Sequence, residues 1–185
     1  MREVTEPYRK SIMFKDQFFR DSGREAVRRS SGNLATNERN DCVVRAFMIA
    51  LNLDYNTAHG WVRKQFLRRD KTGTYTSHHL NKVHGKQKNG YKLKFIGTHP
   101  NKSFLKVGSS KKILINDNYK KATGYTVKSF LETHPTGRYF LIVQRHAIAI
   151  VDGKIWGNPQ EQYKGLYRSV WYGFECINIK NKSYE

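Results

Sequence analysis

The sequence predicts an α+β fold, with helices first and an antiparallel sheet after them. Two stretches carry that prediction. Residues 41–52 (DCVVRAFMIALN) place apolar side chains at helical spacing. Residues 138–157 hold the densest run of β-branched and aromatic residues and contain an Asp152-Gly153 turn signal. At 185 residues the chain is long enough for one domain with its own core.

Residues 1–33 read as a basic, polar N-terminal arm. Ser22-Gly23 and Ser30-Ser31-Gly32-Asn33 interrupt it, and Phe14, Phe18 and Phe19 are candidates for a short helix that pins part of it down. The domain proper then spans 34–185. In its first helix Val43, Val44, Phe47, Met48, Ala50 and Leu51 are candidate core residues. Asn40 or Asp41 suits the N-cap, which puts Cys42 in the first turn. Asp54 caps a second helix over 55–68, with Ala58, Trp61, Val62 and Phe66 on one side. A strongly basic, Gly-punctuated insertion follows at about 70–121, with short strands expected over 91–96 and 112–115. Thr126 opens a helical turn through Leu131, stopped by His134-Pro135. RYFLIVQRHAIAIV reads as strand, KIWG returns after the turn, and a last strand runs over about 169–179.

Charge is concentrated rather than spread. The chain carries 34 Lys and Arg against 15 Asp and Glu, and residues 59–121 hold +14 of the +19 excess. High charge with few aromatics would read as disorder, but 13% of this chain is aromatic. The basic stretch interleaves with Tyr75, Tyr91, Phe95, Phe104 and Tyr119. Arg63, Lys64, Arg68, Arg69, Lys86, Lys88, Lys92 and Lys94 are therefore a candidate basic patch for an acidic protein or nucleic acid. The plainer reading is a solvated, charged face. No apolar run approaches the roughly 18 residues of a membrane span, and the N-terminus lacks a signal-peptide pattern. Two cysteines 134 positions apart make no disulfide framework. The expectation is a basic, soluble, cytoplasmic domain with no membrane association.

Cys42 is the candidate nucleophile. A helix N-terminus offers unsatisfied N–H groups and partial positive charge, which stabilise a thiolate. A nearby base would complete an activated nucleophile; the plain alternative is a structural cysteine. Among seven histidines, His146 stands out because it lies in an apolar strand context, between Ile142 and Ala147-Ile148-Ala149-Ile150. A core histidine needs a partner for its second nitrogen. A three-residue loop, Val151-Asp152-Gly153, would set Asn158 opposite His146 on the same sheet face. A two-residue loop would instead oppose Pro159 to His146 and turn Asn158 to the other face. The longer loop is the reading preferred here.

Other chemistry is poorly represented. His78, His79 and His84 lack cysteine partners, so no metal site is expected. There is no Gly-x-Ser-x-Gly elbow, and residues 85–90 match a phosphate loop only in composition. The acids are too scattered for a carboxylate pair, no cofactor is implied, and Cys176 reads as core.

Asn40-Asp41-Cys42 at a helix start, then a strand histidine, then a polar residue before Pro159, resembles papain-like cysteine hydrolases. The segments ERNDCVVRAF and GRYFLIVQRHAIAIVDGKIWGNP are similar to small phage-encoded proteins of that clan and to its bacteriocin leader peptidases. The resemblance covers roughly 34–68 and 124–160. It implies a papain-like fold with Cys42 as nucleophile, His146 as general base and acid, and Asn158 as the orienting residue. Where the clan places an oxyanion-hole Gln this chain has Thr36, a departure; Asn37, one residue on, is the candidate donor, with the Cys42 N–H as the second. The function implied is amide or isopeptide cleavage on an acidic or nucleic-acid-associated protein. The alternatives are a non-catalytic scaffold binding nucleic acid or a host factor, and a virion-associated basic protein. The location would be the host cytoplasm or the virion.

Overall fold

In a computed structural model, described over residues 18–20, 37–97, 124–157 and 165–179, helices pack on an antiparallel sheet as the α+β prediction requires. Strand β1 is Phe18–Arg20. Helices α1 (Cys42–Ala50) and α2 (Tyr55–Phe66) come next, then a 3₁₀ turn (Thr76–His79) leading into the short α3 (Leu80–Val83). The hairpin of β2 (Gln87–Lys88) and β3 (Tyr91–Gly97) precedes α4 (Val127–Thr133). The sheet is completed by β4 (Arg138–Val143), β5 (His146–Val151), β6 (Lys154–Gly157) and β7 (Val170–Asn178).

The strand order is β1-β6-β5-β4-β7-β3-β2, and only the β1–β6 pair is parallel. Period-2 alternation divides the sheet's side chains between two cores. Phe140, Ile142, Ala147, Ala149, Leu93, Phe95 and Phe174 face α1 and α2. Tyr139, Leu141, Ile148 and Ile150 face α4. Phe47 of α1 stacks on Phe140 at 3.9 Å between centroids and takes Trp61 edge-on at 5.0 Å. Ala147 and Ala149 present only methyl groups, so α1 lies close against β5. Between β4 and β7 only a glycine fits, because a Cβ at Gly173 would collide with the Phe140 carbonyl.

Caps explain where the helices begin and end. The Asp54 carboxylate accepts from the Thr57 N–H at 2.8 Å, and Thr126 and Ser129 form a capping box at α4. At the far end of α1 the Arg138 guanidinium donates to the Ile49 and Ala50 carbonyls, placing a cation at the negative end of the helix. Asn89, in the β2–β3 turn, donates to the Leu51 and Asn52 carbonyls.

Four sequence expectations change. Phe18–Arg20 is a strand on the edge of β6 rather than a helix, which pairs backbone groups that an edge strand would leave open. RYFLIVQRHAIAIV is two strands: Val143 pairs with His146, and the chain reverses at Gln144 and Arg145. His146 therefore begins a strand. The β5–β6 loop has two residues, since Val151 pairs with Lys154 and Ile150 with Ile155. Asp152 (φ 48°) and Gly153 (φ 73°) both adopt the left-handed conformation of a type I′ turn, whose twist matches the strands. The Asp152 carboxylate also accepts from the Gly137 N–H at 3.0 Å. So the three-residue register that opposed Asn158 to His146 does not form. Finally, Asn89-Gly90 makes a second hairpin within the basic insertion (φ 50° and 77°). Asn158 and the strand expected over 112–115 lie outside the described residues.

Candidate active site

Cys42 is the first residue of α1, and Asp41 occupies the N-cap position without capping. The Asp41 carboxylate is committed elsewhere. It is buried, accepts from the Tyr55 hydroxyl at 2.9 Å and pairs with Arg45 Nε at 3.2 Å. Arg45, one turn beyond Cys42, is thereby drawn back toward the helix start.

His146 arrives from the sheet. It opens β5, the strand on which α1 rests, and the next residue's backbone N–H, that of Ala147, reaches the Cys42 thiol. Cys42 and His146 line one cavity of about 680 Å³. Asn40, Arg45, Arg145, Trp171 and the segment 73–77 complete its walls. Thr76 anchors that segment through a 2.7 Å hydrogen bond between its hydroxyl and that of Tyr172.

The surroundings favour the neutral form of both side chains. Burial pushes the Cys42 thiol above its ordinary pKa; the Ala147 N–H and the Arg45 charge pull against that, while Asp41 adds to it. Burial, then the charges of Arg45 and Arg168, lower His146 to about 4. At neutral pH the cavity thus presents a thiol and an uncharged imidazole able to accept a proton.

The other expected site residues fare differently. Asn37 is exposed and is not among the cavity's lining residues, whereas Asn40 is. Arg68 leaves the candidate basic patch, because its guanidinium is buried against Glu38 at 2.6 Å. Arg63, Lys64, Arg69, Lys86, Lys92 and Lys94 are exposed, and Lys88 is partly so. They do not form one surface. Leu93 and Phe95 point into the core beneath α1 and α2, so Lys92 and Lys94 project from the opposite face of the sheet, away from Arg63 and Lys64 on α2. Lys94 also pairs with Glu175 at 3.4 Å.

Sequence reasoning missed Arg45, Arg145, Trp171 and the wall at 73–77. Arg45 carried a signal, since it lies three positions after Cys42 on the same helix face. The wall carried none.

A second ionisable cluster lies beside the first. Glu38, His59 and Asp70 bring ligand-type atoms within 4.8 Å of one another. Arg68 occupies the place a cation would take, 2.6 Å from Glu38 and 3.0 Å from His59 Nε2. Burial alone would raise the Glu38 pKa, but Arg68, the Lys71 N–H and His59 outweigh it and hold it at about 2. This is an ion-pair knot filled by a guanidinium.

Among the described residues no helix is long and apolar enough to cross a membrane. The chain matches no known family model, no curated protein and no solved structure.

Proposed function

We propose that this chain is a papain-like cysteine hydrolase that cleaves an amide or isopeptide bond in an acidic or nucleic-acid-associated protein. One observation carries the reading: a cysteine in the first turn of a helix and a histidine at the start of the strand beneath it line the same cavity. The Cys42 sulfur attacks the scissile carbonyl carbon as its proton passes to His146. The oxyanion meets the Cys42 N–H, at the open end of the helix, and the second donor is the Asn40 side-chain amide, which lines the cavity and also donates to the Lys71 carbonyl at 3.5 Å. His146 then gives its proton to the leaving nitrogen as the C–N bond breaks. Water, deprotonated by the same imidazole, releases the acid and regenerates the thiol.

The imidazole begins without a proton and can accept one, but its lowered pKa makes it a weak base toward the raised thiol and a strong acid toward the leaving nitrogen. The basic surface supports a separate nucleic-acid reading less well, since among the described residues the exposed cations divide between two faces.

The test is the pH dependence of alkylation at Cys42 by iodoacetamide, localised by mass spectrometry, in the wild type and His146→Ala. With the thiol pushed up by burial, reaction of the wild type at neutral pH depends on proton transfer to His146. His146→Ala slows that reaction by on the order of 10². Identical profiles in the two proteins would overturn the reading.

A further inference from the structure

Arg145 sits immediately before His146, in the two-residue loop between β4 and β5. Its backbone is in the left-handed region, φ 59°, where glycine or asparagine is the usual occupant. It is exposed, lines the mouth of the Cys42–His146 cavity, and enters no hydrogen bond or ion pair among the described residues. Among the described residues the carboxylate that lines the cavity is Asp41, which is buried and already engaged by Arg45 and Tyr55. A planar guanidinium is thus held at the entrance with its carboxylate-binding edge uncommitted.

Resting on the hydrolase reading, we infer that Arg145 is its specificity-determining residue and reads the carboxylate of an Asp or Glu side chain next to the scissile bond. The turn, whose backbone favours glycine, carries an arginine whose charge meets no carboxylate among the described residues, and a substrate carboxylate is the group that completes it. This narrows the substrate class from acidic proteins in general to amides flanked by an acidic residue. The chain's overall charge would steer such a protein toward the surface, and Arg145 would fix its register.

Iodoacetate and iodoacetamide test this without knowledge of the substrate. Each forms an S–C bond at Cys42 as iodide leaves, and they differ chiefly by one negative charge. At low ionic strength the iodoacetate-to-iodoacetamide rate ratio falls about fivefold in Arg145→Gln, is kept in Arg145→Lys, and collapses in the wild type at high salt. A ratio unchanged by Arg145→Gln overturns the proposal. The ratio reads Arg145 whether or not His146 assists, whereas loss of His146 dependence in the iodoacetamide rate alone indicts the hydrolase reading. Acetylated, C-terminally blocked peptidyl vinyl sulfones bearing Asp or Asn beside the electrophile identify the carboxylate's source. A preference for Asp of about tenfold, erased in Arg145→Gln, supports the side-chain assignment. Equal rates for Asp and Asn alongside an Arg145-dependent iodoacetate ratio overturn it in favour of a chain-terminal carboxylate.

Discussion

Two ionisable clusters lie side by side near the start of α1, and they handle charge in opposite ways. Around Glu38, His59 and Arg68 every charge meets a counter-charge, and the Glu38 carboxyl is held ionised with its pKa near 2. Around Cys42 and His146 the environment suppresses charge, pushing the thiol up and the imidazole down to about 4. The first cluster is closed by Arg68; the second opens onto a cavity. A perturbed pKa alone therefore does not separate structure from chemistry. What separates them is whether the perturbed group is completed by the protein or left facing space that a substrate can fill.

The largest contrast comes from removing one member of each cluster. On the proposed function, Cys42→Ala is expected to abolish hydrolysis, a loss on the order of 10⁴ or more, while leaving the urea midpoint nearly unchanged. Arg68→Met should do the reverse. It leaves Glu38 buried without its main counter-charge and costs about 3–5 kcal/mol of stability by urea unfolding. Adding Glu38→Gln should recover part of that loss. Should Arg68→Met cost less than about 1 kcal/mol, the closed cluster would not be the structural element described here.

Acid separates the two clusters next. His146 has a folded pKa near 4, below its ordinary 6.5, so the unfolded chain binds a proton that the fold refuses between those values. Stability is then lost as pH falls from about 6.5 to about 4, by about 2–3 kcal/mol. Glu38 falls from 4.5 to about 2 on folding, so its contribution is present above pH 4.5 and lost as pH falls toward 2, by about 3 kcal/mol. His146→Asn should erase the upper window and keep the lower one. Urea unfolding at pH 7, 5 and 3 measures both.

Much of this architecture was legible in the sequence, and the two clusters show where legibility ends. Both α1 and α2 announced themselves through apolar spacing, Asp54 and Thr126 through cap chemistry, and Cys42 through its place in the first turn. The reversal at Gln144 and Arg145 did not, because neither residue marks a turn and apolar runs flank it on both sides. Asp152-Gly153 was recognised as a turn but assigned one residue too many, and a single residue changes which positions oppose each other across the hairpin. Asn89-Gly90 is a strong hairpin signal that the surrounding lysines obscured. Arg68 looked like surface charge because its partner, Glu38, is 30 residues earlier in the chain. Composition shows how many charges a segment carries; pairing across the fold decides which of them reach solvent.

The smallest expected effect tests whether the two clusters are joined. Tyr55 donates its hydroxyl to Asp41 at 2.9 Å, and its ring centroid lies 6.1 Å from that of His59 with the planes 29° apart, so its side chain stands between the two clusters. Tyr55→Phe keeps the ring packed and removes only the donor. Asp41 then retains Arg45 but loses a hydrogen-bond donor in a buried setting, which should cost about 1–2 kcal/mol. The same change loosens the carboxylate that draws Arg45 toward Cys42. If Asp41 positions Arg45 for the site, alkylation of Cys42 should shift by a few-fold while its dependence on His146 persists. A stability loss with no change in alkylation would make Tyr55 part of the closed cluster alone, and the thiol's electrostatic setting would then rest on Arg45 without help from its neighbours.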